Sequence, residues 1–198
     1  MATTEIVLYT DYKSPYAYLA NEGAYALEQE FDVKLVWRPY TLDIPSYLGA
    51  VDTRDEHQWR RVKYSYMDCR RTANERGLTV LGPKKIFDSS IASIGMLFAQ
   101  RENVFRAYND TVFERFWKRE LDIEDSEVVK TVLDEVGADT GDWDAYLAGE
   151  GRIEHERIRA EAEEIGVFGV PMFVINGELF WGGDRIPILK RKLAQLQD

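Results

Sequence analysis

Between Met172 and Trp181 the chain reads Met-Phe-Val-Ile, then Asn176-Gly177, then Glu-Leu-Phe-Trp. An Asn-Gly step between apolar runs matches the paired positive-φ residues of a two-residue turn whose twist suits the strands on either side. This predicts an antiparallel hairpin and limits the folds that can contain it. Gly182-Gly183 ends the second strand, and Asp184 can cap a last helix with Ile186, Leu189, Leu193 and Leu196 on one face. Pro187 falls in the first turn of that helix, where its missing N–H is tolerated. The carboxyl-terminal end therefore reads strand, strand, helix.

The opposite end has a different rhythm. Ile6-Val7-Leu8-Tyr9 is a short apolar run, as expected of a strand buried on both faces. Ser14-Pro15 follows, a hydroxyl cap and a proline at the first helical position, and Ala20, Ala24, Leu27 and Phe31 then recur at helical spacing. Val33, Leu35 and Trp37 alternate with polar residues up to Pro39, giving a second strand reached by a right-handed crossover.

The intervening tract is helical. Trp59, Val62, Tyr66, Cys69 and Ala73 share a face, which makes Cys69 a small inert core residue, and Gly77 stops that helix. Further starts are expected after Asp88-Ser89-Ser90, at Asn103 and at Ser126, each a capping residue type. A charged helix over 152–165 carries Ile158, Ala162 and Ile165 on its apolar stripe and ends at Gly166. The fold class is thus α/β, with a scaffold over 1–45 and 166–198 and an all-helical insertion over 46–165 lying across it as a lid.

Composition narrows the function. A formal net charge of -10 disfavours nucleic acid and anionic membranes as general partners, and a small anionic ligand needs a local cluster of Lys and Arg against that background. Residues 1–5 contain no basic segment and no apolar run approaches the ~18 residues of a membrane span, so a soluble cytoplasmic protein is expected. Cys69 is the only cysteine, which excludes an intrachain disulfide and a multi-thiolate metal site, and no metal is expected. His57 and His155 lie among charges without an i, i+4 partner and read as solvated helix surface.

The order of elements resembles the thioredoxin fold, with the insertion placed as in the DsbA disulfide oxidoreductases. Ser14-Pro15-Tyr16-Ala17-Tyr18-Leu19-Ala20, Gly166-Val-Phe-Gly-Val-Pro-Met-Phe173 and Phe180-Trp-Gly-Gly-Asp-Arg185 together resemble the kappa-class glutathione transferases and 2-hydroxychromene-2-carboxylate isomerases. That resemblance implies a glutathione-dependent enzyme, a small electrophilic substrate and a homodimer. It also implies that Ser14 contacts the glutathione sulfur, that Val170-Pro171 is a cis peptide facing the first helix, and that Asp184 and Arg185 hold the γ-glutamyl end.

The chemistry of Ser14 is sound on its own terms. A helix amino terminus carries unpaired N–H groups and about half a positive charge, which lowers the pKa of a nearby thiol, and a hydroxyl can donate to the thiolate. Capping alone also accounts for a Ser-Pro pair, and both roles can coexist. Arg61, Tyr64, Asp68 and Arg71 fall along one helical stripe, where Arg61 or Lys63 can meet an anionic group while Asp68 and Arg71 pair with each other. Lys84 and Lys85 read as a solvated loop. Tyr12, Tyr16, Tyr40, Tyr64 and Trp181 are candidates to line an apolar substrate pocket.

Asp88-Ser89-Ser90 lacks the arginine pair of the naphthalene-pathway isomerases, and Leu42-Asp43-Ile44-Pro45 differs from their loop after the second strand. Three functions compete. One is thiol-assisted isomerisation or transfer, one is the same chemistry with another low-molecular-weight thiol, and one is a redox-inactive groove binding extended peptides. Dithiol exchange is ruled out, because a lone hydroxyl cannot exchange disulfides.

Overall fold

The computed structural model describes residues 3–197; Met1, Ala2 and Asp198, which close the expected scaffold segments, lie outside the described residues. Strand β1 (Thr4–Thr10) is followed by helix α1 (Pro15–Glu30) and strand β2 (Val33–Pro39), with β2 parallel to β1 in the register Thr10↔Pro39. Strands β3 (Met172–Ile175) and β4 (Glu178–Trp181) form the expected hairpin, with Asn176 at φ 50° and Gly177 at φ 79°. Strand β3 runs antiparallel to β1, so the sheet order is β2-β1-β3-β4.

Both faces of this sheet are covered, which explains the unbroken apolar run from Ile6 to Tyr9 within β1. Ile6, Leu8, Phe173 and Ile175 point to one side and pack with Ala24 and Leu27 of α1 and Leu189 and Leu193 of α9 (Ile186–Gln197). Val7, Tyr9, Met172 and Val174, on alternate positions, face the other side and join the core of the helical insertion.

That insertion comprises α2 (Ile44–Leu48), α3 (Glu56–Glu75), α4 (Ser90–Arg101), α5 (Phe105–Trp117), α6 (Ser126–Glu135), α7 (Trp143–Ala148) and α8 (Glu150–Glu164). Short α2 has no counterpart in the sequence reading. One buried cluster takes Tyr12, Ala17 and Leu19 from the scaffold together with Phe98, Val112, Phe113, Val132 and Ile158 from the insertion. Among the described residues no helix is long and apolar enough to cross a membrane.

Several local expectations change. Asn103 does not start α5; it sits in the left-handed region at φ 61° and closes α4, donating its N–H to the Gln100 carbonyl. Asp125 rather than Ser126 caps α6, its Oδ1 accepting from the N–H groups of Glu127 and Val128. Asp184 lies inside a 3-10 turn, Gly183–Arg185, ahead of α9, and pairs with Arg185 at 3.2 Å instead of capping. Ile165 and Leu196 are exposed, because their helices extend past the surface that buries Ile158, Ala162, Leu189 and Leu193.

Candidate functional site

The topology gathers the sequence motifs at one edge. Strands β1 and β2 are parallel, so both chains leave the sheet together, into Asp11–Ser14 and Tyr40–Leu42. Because Tyr9 pairs with Met172, and Met172 with Trp181, β3 begins and β4 ends at that same edge. Val170-Pro171 and Gly182 to Arg185 therefore emerge beside the start of α1. The Val170-Pro171 bond is cis, and the Pro171 carbonyl accepts from the Gly182 N–H at 2.9 Å. Gly183 lies close against α1, where an added Cβ would stand 3.1 Å from the Ala20 Cβ.

Ser14 caps α1 in extended geometry. Its Oγ accepts from the Ala17 N–H at 3.2 Å, and its carbonyl accepts from the Tyr18 N–H at 3.1 Å. Ser14 is 5% exposed. Accepting that bond leaves the hydroxyl proton to donate, beside the remaining N–H groups of the first turn. No acidic residue lies in that turn to oppose negative charge.

Asp11 holds the approach to this helix. Fully buried, it accepts from the Lys13 N–H at 3.2 Å through Oδ1 and from the Leu42 N–H at 2.7 Å through Oδ2. One carboxylate thus ties the loop before α1 to the segment after β2. The Lys13 ammonium stands 3.6 Å from Asp11 Oδ2 with its side chain only 7% exposed.

The expected pocket aromatics separate. Tyr12 is fully buried in the core, packed on Tyr108 and Phe113, and cannot line an open pocket. Tyr40 is also buried, its hydroxyl donating to the Val167 carbonyl. Tyr16 is half-buried and donates to Asp68 Oδ2 at 3.0 Å and to the Ser65 carbonyl at 3.4 Å. Burial, then the Asp68 hydrogen bond, push its phenol pKa up. Asp68 therefore takes Tyr16 as partner, and among the described residues no ion pair joins it to Arg71. Trp181 is 54% exposed and stacks edge to face with exposed Phe168, 4.9 Å between ring centroids.

Helix α3 reaches across this edge. Tyr16 meets Ser65 and Asp68, while the Leu19 carbonyl accepts from the Arg76 guanidinium at 2.6 Å, so α1 and α3 run in the same sense. The amino-terminal half of α3 consequently extends past the start of α1 and carries Arg61 and Tyr64 with it, both exposed. Asp184 and Arg185 are exposed in the turn that Gly183 packs against Ala20 of α1.

A cavity of about 310 Å³ opens beside Lys13, between the segment after β2 and the segment before α4, with Arg159 of α8 on its wall. None of the aromatic side chains expected to line a pocket faces it. Behind the cavity lies His155, which is buried rather than solvated, its Nε2 2.9 Å from Thr41 Oγ1. Burial, with Arg152 contributing next, pulls its pKa below the ordinary histidine value. Asp11, Lys13 and His155 were missed because no motif marks them. The one available signal is that Asp11 and Lys13 sit between a strand end and a capped helix start.

Residues 5–194 match the family of the DSBA-like thioredoxin domain. The chain belongs to that DsbA-like family. Among its relatives, the 2-hydroxychromene-2-carboxylate isomerase of Sphingobium xenophagum is 26% identical over 197 residues, covering 96% of this chain and 98% of that one. A solved 2-hydroxychromene-2-carboxylate isomerase superposes with a TM-score of 0.80 at 24% identity, covering 97% of this chain and 95% of the other. The cytosolic disulfide reductase DsbM from Pseudomonas aeruginosa, solved with GSH, gives a TM-score of 0.62 at 17% identity, covering 98% and 97%. These two structures share the fold of this DsbA-like chain.

Proposed function

We propose that this DsbA-like protein is a glutathione-dependent isomerase or transferase of the 2-hydroxychromene-2-carboxylate isomerase type, acting on a small unsaturated electrophile. The observation that carries this reading is the Ser14 hydroxyl. It caps α1 with its proton unspent, at the helix end where a redox relative needs a cysteine pair. The isomerase name of relatives that span nearly the whole chain supports the same reaction class.

The residues present fit a tripeptide thiol. Ser14 and the first-turn N–H groups of α1 suit a thiolate, the backbone of Val170 suits an extended peptide, and exposed Asp184 beside Arg185 suits an ammonium and a carboxylate. Glutathione, when bound, supplies a thiolate that adds reversibly to the unsaturated substrate and so frees a double bond to rotate.

The chain's own part is electrostatic and positional. Ser14 donates to negative charge on sulfur, and the α1 dipole favours that charge over the neutral thiol. Asp11 fixes the loop from which Ser14 starts, and the Tyr16–Asp68 bond sets α3 above it. Lone Cys69, buried with its thiol pushed up to about 11, takes no part in this chemistry.

Isothermal titration of glutathione and its S-conjugates into wild type and Ser14→Ala, with a spectrophotometric assay of thiol-dependent isomerisation, tests the proposal. We expect wild type to bind and turn over, and Ser14→Ala to lose most turnover. Absence of small-thiol binding in wild type would sink the enzyme reading and leave a redox-inactive groove.

A further inference from the structure

The hydroxyl of Thr41 has a setting that the thiolate role of Ser14 leaves unexplained. Thr41 lies on the wall of the cavity beside Lys13, and among the described residues lining it Thr41 is the one uncharged polar side chain. The charged ones have partners. Lys13 faces Asp11 at 3.6 Å and Arg159 gives Nε to Glu163 at 3.0 Å, while Asp88 takes the N–H and hydroxyl of Ser90 and Asp43 takes the Ser46 hydroxyl.

Thr41 is held from three sides. Before it the Tyr40 N–H donates to the Thr10 carbonyl at 2.8 Å, and after it the Leu42 N–H donates to Asp11 Oδ2 at 2.7 Å. Behind it, Oγ1 stands 2.9 Å from Nε2 of His155, a residue of α8 that is 5% exposed. The Asp11 carbonyl in turn accepts from the Ser14 N–H at 3.0 Å. Asp11 thus joins the segment that carries Thr41 to the residue that heads α1.

A threonine hydroxyl has a single proton, and the imidazole decides where it goes. When Nε2–H donates to Oγ1, that proton is free to point into the cavity. His155 is favoured as the neutral ring, by burial first and then by Arg152, with Arg159 acting the same way from α8 and Asp11 and Asp88 opposing from the segments before α1 and α4.

The reaction class calls for such a donor. Addition of a thiolate to an unsaturated carbonyl forms a C–S bond and moves the double-bond pair toward the carbonyl, whose oxygen gains the negative charge. Departure of the sulfur returns the pair and breaks that bond, so nothing is oxidised or reduced. The start of α1 favours charge on sulfur, and the oxygen that receives the charge is stabilised only by a donor of its own. A neutral hydroxyl suits that place, since it binds an uncharged carbonyl weakly and an oxyanion strongly.

We infer that Thr41 is a catalytic hydrogen-bond donor to the substrate oxygen that becomes negative, and that His155 is its positioning residue, donating Nε2–H to Oγ1 and turning the hydroxyl proton into the cavity. The role rests on the Ser14 reading for its reaction; the proton placement on His155 does not.

The test follows glutathione addition to trans-4-phenyl-3-buten-2-one, a neutral enone whose absorbance falls on addition. We expect Thr41→Val to lower kcat about 100-fold, the loss of one oxyanion donor, with KM and the calorimetric affinity for glutathione within about twofold of wild type. Thr41→Ser keeps the hydroxyl and should return kcat to within about fivefold of wild type. His155→Phe, which keeps a ring and removes the donor, should lower kcat about tenfold at unchanged KM. Nitrogen-15 shifts of His155 in the free protein at neutral pH should show Nε2 protonated and Nδ1 bare. A bare Nε2, a Thr41→Val kcat within about threefold of wild type, or a loss confined to KM overturns the inference. The two readings fail differently. If wild type binds no glutathione, the Ser14 reading falls and takes this role with it; if wild type binds and turns over and Thr41→Val matches it, this role alone falls.

Discussion

Removing the Tyr16 hydroxyl tests how α3 is held over the start of α1. In Tyr16→Phe the ring keeps its packing and loses a 3.0 Å bond to the Asp68 carboxylate and a weak 3.4 Å contact to the Ser65 carbonyl. A hydrogen bond to a charged group contributes about 1.5–3 kcal/mol when well buried. Both partners are half-buried and water can reach the carboxylate left behind, so screening reduces the expected loss to about 1 kcal/mol. For a chain of this length that lowers Tm by about 2–4 °C.

Urea unfolding of wild type, Tyr16→Phe, Asp68→Ala and the double variant isolates the pair, and we expect a coupling of about 1 kcal/mol. The phenol pKa is raised first by burial and then by Asp68. The neutral form is therefore favoured in the folded state, and this contribution is complete below the unfolded tyrosine pKa of about 10. It is lost as pH rises from there through the higher folded value, and Tyr16→Phe should lack that alkaline component. A coupling below about 0.3 kcal/mol, within ordinary additivity, would refute the reasoning.

Other outcomes follow from buried groups. Asp11→Ala strands the Lys13 ammonium and two N–H donors, and should cost about 3–5 kcal/mol by urea unfolding. The His155 pKa is depressed, by burial first and then by Arg152, with Arg159 acting the same way and Asp11 and Asp88 against them. Its contribution to stability is complete above the unfolded value of about 6.5 and is lost as pH falls from there through the folded value; His155→Gln should flatten that acid limb in pH-dependent denaturation. Leu189→Ala, at a fully buried site between α9 and the sheet, should cost about 2–5 kcal/mol in the same assay. Cys69, buried with its thiol raised to about 11, should alkylate slowly with iodoacetamide at pH 8 in the native protein and rapidly in urea, as followed by mass spectrometry.

Residues whose meaning depends on near neighbours were legible. Ser14 caps because Pro15 and the periodic apolar positions follow it, and Asn176-Gly177 turns because both residues tolerate positive φ. Pattern reading went wrong where an apolar stripe outran its partner, as at Ile165 and Leu196. It also went wrong where a polar residue found a distant one. His155 meets Thr41, and Asp68 meets Tyr16 rather than Arg71, across separations that no local window spans.

By itself the sequence determined the order of the four strands with α1 and α9, the absence of an intrachain disulfide, and the serine at the head of α1. Caps, turns and apolar periods act within a few residues and are written in the chain. Only the tertiary structure decided that Tyr12 is core, that Asp11 binds two loops with one carboxylate, and that Lys13 and Arg159 share a cavity wall. The physical reason is burial. Whether a side chain is solvated, paired or left with unused donors depends on what the folded chain brings against it, and those partners come from β1, β2 and α8 at once.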